Sequence, residues 1–112
     1  MKTIDKTDYV SLTSYTRRFT SDDAAVIEAY LNTVGALNAV TLWERKIENE
    51  SFKESVISSF ISRIRCGGEI TLDEFLGTTN TSAIERDDAS IWACPDVFND
   101  YVAYLTENRV NT

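Results

Sequence analysis

The sequence predicts an all-α fold: a single helical domain of about five to seven helices. Three observations carry this. Ser or Thr followed three residues later by Glu recurs at Ser51/Glu54, Thr71/Glu74 and Ser82/Glu85, the spacing of a helix capping box. Glycines and the single proline fall at the ends of apolar-periodic segments rather than inside them. Finally, no Asn-Gly or Asp-Gly dipeptide and no alternating apolar run signals a hairpin. A chain of 112 residues with 43% hydrophobic residues is enough for one core. The expected organisation is a loose polar terminus over residues 1–8, then one helical domain over 9–112.

The elements follow in order. Leu12, Tyr15 and Phe19 share one face of a short helix over about 11–18, although Thr, Tyr and Val also suit a strand. Thr20 or Ser21 caps the next helix, Asp22 and Asp23 suit its positive end, and Ile27, Leu31 and Val34 form its apolar stripe. Gly35 is placed to end or kink it. Ala36, Val40, Trp43 and Ile47 make a second stripe, giving one bent helix or a tight pair. Ser51 and Glu54 box the start of the strongest helix. Phe52, Val56, Ile57, Phe60, Ile61 and Ile64 form the broadest apolar face in the chain, so this helix is expected at the centre of the core. It stops at Cys66 before Gly67-Gly68. Thr71 and Glu74 open a short helix through Leu76, halted by Gly77. Ser82 and Glu85 open a weaker one carrying Ile84, Ile91 and Trp92. Pro95 starts the last helix, with Val97, Phe98, Tyr101, Val102 and Leu105 as its stripe, closing near Asn108.

Composition restricts function. The chain has no histidine, which removes Ser-His, Cys-His and His-ligated metal chemistry together. It holds no phosphate-cradling glycine loop, no G-x-S-x-G and no metal-spaced cluster, so no enzymatic activity, cofactor or metal is expected. Cys66 and Cys94 form no C-x-x-C pair, and two cysteines are as easily two reduced thiols as one disulfide. Cys94 precedes a helix start, which favours a thiolate, but a buried structural thiol is the expectation. The first eight residues contain no apolar leader, and the uncharged run Ala29 to Trp43 is too short and polar to span a bilayer. A cytoplasmic protein is expected, with the Asn-x-Ser sequons at Asn49 and Asn80 unglycosylated.

Two motifs resemble known sites. Gly68-Glu69-Ile70-Thr71-Leu72-Asp73-Glu74-Phe75 matches the back half of an EF-hand loop, but Arg63, Arg65 and Gly67 then occupy its first, third and fifth ligand positions. A helix C-cap followed by a capping box is the expected structure. Leu72 to Arg86 has the outline of a helix-turn-helix unit with Gly77 in the turn. Asp87 and Asp88 face phosphate badly, however, and direct nucleic-acid binding is not expected of a chain with net charge −7. Tyr15-Thr16-Arg17-Arg18-Phe19 interleaves bases with aromatics that stack nucleotides elsewhere, yet Asp22 and Asp23 lie nearby to neutralise them.

Acids outnumber bases 18 to 11. Glu44 and Glu48 are spaced one helical turn apart, as are Glu50 and Glu54, which predicts a negative ridge across the middle of the protein. Such a ridge steers association with a basic surface. The predicted function is therefore a small acidic interaction module, an inhibitor, adaptor or immunity-type protein. It would dock on a larger, basic, nucleic-acid-handling partner protein, with no membrane involved. Glu44, Glu48, Glu50, Glu54, Asp87 and Asp88 are the candidate contact residues. The alternative is a structural assembly component or a helix-turn-helix-like regulator. Leu12 to Ala36, with Arg17-Arg18, Asp22-Asp23, Ile27 and Leu31, is similar to the small helical head-to-tail connector proteins of tailed phages. Val102 to Arg109 is similar to their last helix. That similarity covers about a third of the chain, stops between Val40 and Cys94, and implies an assembly role with a phage or mobile-element origin.

Overall fold

Side-chain oxygens open three of the helices in the computed structural model, which describes residues 8–88 and 90–108. Ser11 Oγ accepts from Ser14 N (3.0 Å) at the start of α1 (Leu12–Thr16). Thr33 Oγ1 accepts from Ala36 N (3.1 Å) at α3 (Val34–Lys46), and Thr71 Oγ1 from Glu74 N (3.1 Å) at α5 (Leu72–Thr79). Each satisfies an amide that the first helical turn leaves without a partner. Between them lies α2 (Asp23–Leu31), whose N-cap Asp22 makes no side-chain cap bond. The chain turns by 76° between α2 and α3, so the two stripes form a tight pair. Gly35 lies in the first turn of α3 rather than at the end of α2. The loose terminus expected over 1–8 lies outside the described residues apart from Asp8.

α4 (Glu54–Arg65) begins without the expected box. Its N-cap is Lys53, which makes no side-chain cap bond, and Lys53 N donates instead to Thr79 O (2.9 Å). Phe52 and Ile57 occupy the two positions of a hydrophobic staple, and both are in the core. α4 ends in a Schellman turn: Gly67 N donates to Ile64 O (3.0 Å), Gly68 N to Arg63 O (2.8 Å), and Gly67 takes φ +89°. A Cβ on Gly68 would meet Arg63 Cγ at 2.7 Å, so the second glycine gives room to the arginine stem. Arg63 then reaches Glu74 with two bonds, 2.7 and 2.9 Å. The pair that an EF-hand would use as its first and last ligands is thus closed on itself. α5 runs through Gly77 and ends at Asn80, which adopts the left-handed conformation (φ 55°).

The all-α expectation needs correction. The protein is mostly helical, with six helices among the described residues, and it also holds a small three-stranded sheet. β1 (Val10–Ser11), β2 (Ile84–Arg86) and β3 (Ile91–Ala93) pair antiparallel in the order β1-β3-β2, with Val10 and Ile84 both opposite Ala93. The third capping box is therefore absent, and with it the helix-turn-helix unit. Ser82 N and Oγ both donate to the Glu44 carboxylate at 2.9 and 2.5 Å, so the hydroxyl is drawn away from residue 85. The β2–β3 turn closes without glycine: Asp87 N donates to Ser90 O (2.9 Å) and Ser90 N to Asp87 Oδ1 (2.7 Å). The last helix is α6 (Pro95–Asn108), as its proline start predicts.

The core centres on α3, which packs on α2, α4 and α6 and buries Ala36, Leu37, Val40 and Glu44. α6 answers with Val97, Tyr101 and Leu105, and α2 with Ile27, Tyr30 and Leu31. α4 buries only Ile57 and Phe60, so it flanks the core instead of occupying its centre. Its sequence stripe is broad because Val56, Ile61 and Ile64 are only half-buried. Among the described residues no single helix is long and apolar enough to cross a membrane.

Candidate functional site

The acidic ridge does not exist as a continuous face. Glu44 is 1% exposed and its carboxylate is enclosed: Oε2 accepts from Asn49 Nδ2 (2.8 Å) and Ser82 N, and Oε1 from Ser82 Oγ. It joins the end of α3 to the chain entering β2 and is out of reach of a partner. Glu48 is exposed but no longer helical, because α3 ends at Lys46. Glu48 N donates to Arg45 O (3.1 Å) and Asn49 N to Glu44 O (3.0 Å), a second Schellman turn. Here a glutamate with φ 59° holds the place that Gly67 fills after α4. Glu50 is exposed in the following turn, and exposed Glu54 accepts from Arg45 at 2.6 and 3.2 Å. That bond holds the Glu54 carboxyl below the usual carboxylate range. Asp87 is engaged in the hairpin, where Oδ2 also accepts from Trp92 Nε1 (2.9 Å), and Asp88 is exposed beside it. The six candidates are thus one internal residue, three residues around the 48–54 turn and two in the β2–β3 hairpin. Both sequon asparagines donate their side-chain amides to neighbours within the protein, Asn49 to Glu44 and the exposed Asn80 to Ser51 O (3.2 Å).

Among the described residues five cations are held in ion pairs within the protein, while Lys53 and Arg65 are exposed outside any of them. Arg17, Arg45, Lys46, Arg63 and Arg86 pair with Asp23, Glu54, Asp96, Glu74 and Asp73 respectively. Arg18 lies over the Tyr15 and Phe19 rings, 5.6 and 6.0 Å from their centroids. The basic-aromatic segment of the sequence is therefore folded on itself, with Tyr15 also edge-on to Phe98 at 5.2 Å. Carboxylates are left as the net outward charge.

Sequence reasoning missed a groove between the α2–α3 turn and the C-terminal half of α6. Its volume is about 340 Å³, and it is lined by Tyr30, Thr33, Gly35, Asp100, Ala103, Tyr104 and Glu107. Asp100, Tyr104 and Glu107 are spaced four and three along α6 and so share a face. That spacing was visible in the sequence, but only the fold brings the α3 start against it. Tyr30 is fully buried and donates its hydroxyl to Asp100 Oδ2 (2.6 Å). Burial, helped by that bond, pushes the Tyr30 phenol well above its usual range. Tyr104 is half-exposed, its ring 5.3 Å from that of Tyr30.

Cys66 is exposed and Cys94 is buried, and the two are unbonded. Burial pushes the Cys94 thiol up to about 11, outweighing the amides of Asp96 and Val97 at the start of α6 that favour the thiolate. Burial likewise pushes the Tyr101 phenol up to about 12 and raises Tyr9. All these groups hold their protons more tightly when folded, so the native state binds more protons than the unfolded state once pH passes the ordinary Cys and Tyr values. The stability that these groups contribute is therefore fully present below about pH 8.5 and is lost progressively above it. Urea titrations from pH 7 to 10.5 should give a midpoint that drops with pH, and a rising midpoint would reverse the assigned shifts. In native protein at pH 8 a thiol reagent should label Cys66 and spare Cys94 until urea is added.

No family model, curated protein or solved structure matches the chain. The phage-connector similarity of the sequence has no counterpart among known proteins in these comparisons.

Proposed function

We propose that this protein is a non-enzymatic interaction module that docks through an acidic surface on a larger, basic partner protein, acting as an inhibitor or adaptor. The observation that supports this is the disposition of charge. Five cations and five carboxylates cancel in internal ion pairs, and among the described residues Glu48, Glu50, Asp100 and Glu107 take part in none, against Lys53 and Arg65 as exposed cations outside those pairs. With net charge −7, the resulting field attracts a basic surface and repels a phosphate backbone. Glu48 and Glu50, rather than the buried Glu44, are the contact candidates retained from the sequence.

The test is capture with the full chain as bait, followed by kinetics with the purified partner. A basic partner whose association rate falls about tenfold between 50 and 300 mM salt supports docking by this field. Glu48→Lys with Glu50→Lys should slow association while the melting midpoint moves little, since exposed charges change stability by about 0.5 kcal/mol or less. A salt-indifferent association rate refutes the electrostatic reading. A shifted DNA probe, or ring-sized assemblies in light scattering, would replace it with a regulator or an assembly component.

A further inference from the structure

We infer that the face formed by α1, the turn after it and the adjoining side of α6 docks a segment of another protein that carries a carboxylate next to an apolar side chain. This surface goes beyond the acidic one and does not depend on it. Phe19 is 38% exposed and Tyr15 is half-buried beside it. Phe98 and Val102, both half-buried and one turn apart on α6, extend the strip. The rings are continuous, with Tyr15 lying 5.3 Å from Phe19 and 5.2 Å from Phe98, centroid to centroid. An apolar patch with a polar rim marks an interaction surface. Aromatic rings beside arginine are the residues that dominate the energetics of protein interfaces.

Charge sets the occupant. Arg17 and Arg18 are both exposed at this strip, in a protein whose net charge is −7. Asp23 pairs with Arg17 at 3.4 Å. Arg18 makes no hydrogen bond or ion pair among the described residues and lies over the Tyr15 and Phe19 rings. That position leaves the N–H groups of its guanidinium without an acceptor. A carboxylate meets such a fork with two parallel bonds, and a neighbouring apolar side chain then covers Phe19. A nucleic acid fits less well. It requires a run of cations along its backbone, and here one guanidinium is free while the other is shared with Asp23. The rings also interlock at 69° and 84° instead of presenting parallel faces to bases.

The experiment is an amide chemical-shift titration of the full chain with a blocked hexapeptide, Gly-Asp-Phe-Leu-Glu-Gly. Its controls are the same peptide with lysine for both acids, the same peptide with serine for both apolar residues, and a dodecathymidylate strand. A peptide of this size should bind with a dissociation constant of roughly 0.1–2 mM. Shifts should centre on residues 14–20 and 98–102, and each control should bind at least about tenfold more weakly. Arg18→Glu and Phe19→Ser alter exposed side chains, so each should weaken binding at least about tenfold while the melting midpoint moves little. Arg18→Gln repeats the charge test with less perturbation. No shifts in these residues at about 5 mM peptide, equal binding by either peptide control, or unchanged binding by both Arg18 variants or by Phe19→Ser overturns the inference. Tighter binding of the dodecathymidylate would make the face a nucleic-acid surface, and self-association of the free protein through these residues would make it a contact between copies. Either result also overturns it. The acidic-surface reading stands or falls separately, on Glu48 and Glu50.

Discussion

Glu44→Ala is expected to destabilise the protein by about 3–5 kcal/mol, a large share of the stability of a domain this size. The carboxylate is 1% exposed and accepts from Asn49 Nδ2, Ser82 N and Ser82 Oγ. Removing it strands three donors, each costing roughly 1–3 kcal/mol unless water enters the space. Tyr9 adds a further tie through its hydroxyl to Ser82 O (2.6 Å), so the strand entrance is held from two sides. Glu44→Gln keeps the shape but turns an amide toward a donor, and it should cost less, about 1–3 kcal/mol. Urea denaturation followed by circular dichroism measures both. A double-mutant cycle with Ser82→Ala should return a coupling of at least about 0.5 kcal/mol. Additive effects would mean that the Glu44–Ser82 bonds contribute nothing specific.

This carboxylate also explains what the sequence hid. Capping is local chemistry, and Thr71, the Gly67 turn and the proline start of α6 were legible because each depends on neighbours within five residues. Ser82 carried the same local signature as Thr71, but its amide and hydroxyl are taken by a residue 38 positions away. No window-based pattern contains that partner. The hairpin behind it has three-residue strands and a turn closed by Asp87 instead of glycine, so it lacks both the alternation and the dipeptide that mark hairpins. The error at the site has the same origin. Periodic spacing placed Glu44 and Glu48 on one helical face, but spacing does not distinguish a solvent face from a buried one when the residue is charged. Charged residues are rarely buried, so base rates favoured the surface. The groove went unseen because its two walls lie some seventy positions apart, joined by the Tyr30–Asp100 bond.

Phe60→Ala should lower stability by about 3–5 kcal/mol and the melting midpoint by at least about 10 °C. Phe60 is 3% exposed on a helix that buries only one other residue, Ile57, so it is the main anchor of α4 to the core. Its ring lies 6.3 Å from that of Phe75 in α5, and the Arg63 guanidinium sits 5.3 Å from its centroid on the way to Glu74. Truncation therefore removes buried area and an aromatic neighbour, and it loosens the support beneath the ion pair joining α4 to α5. Because α4 flanks the core, the loss should be partly local. The urea dependence should become shallower, as α4 detaches while α3 and α6 remain packed. Leu42→Ala is the control: Leu42 is 64% exposed on α3, and its truncation should change stability by about 0.5 kcal/mol or less. A Phe60→Ala midpoint equal to that of the control would remove α4 from the core. An undiminished slope with a large drop in midpoint would instead make the whole protein one cooperative unit, with α4 as strongly coupled to α3 as α6 is.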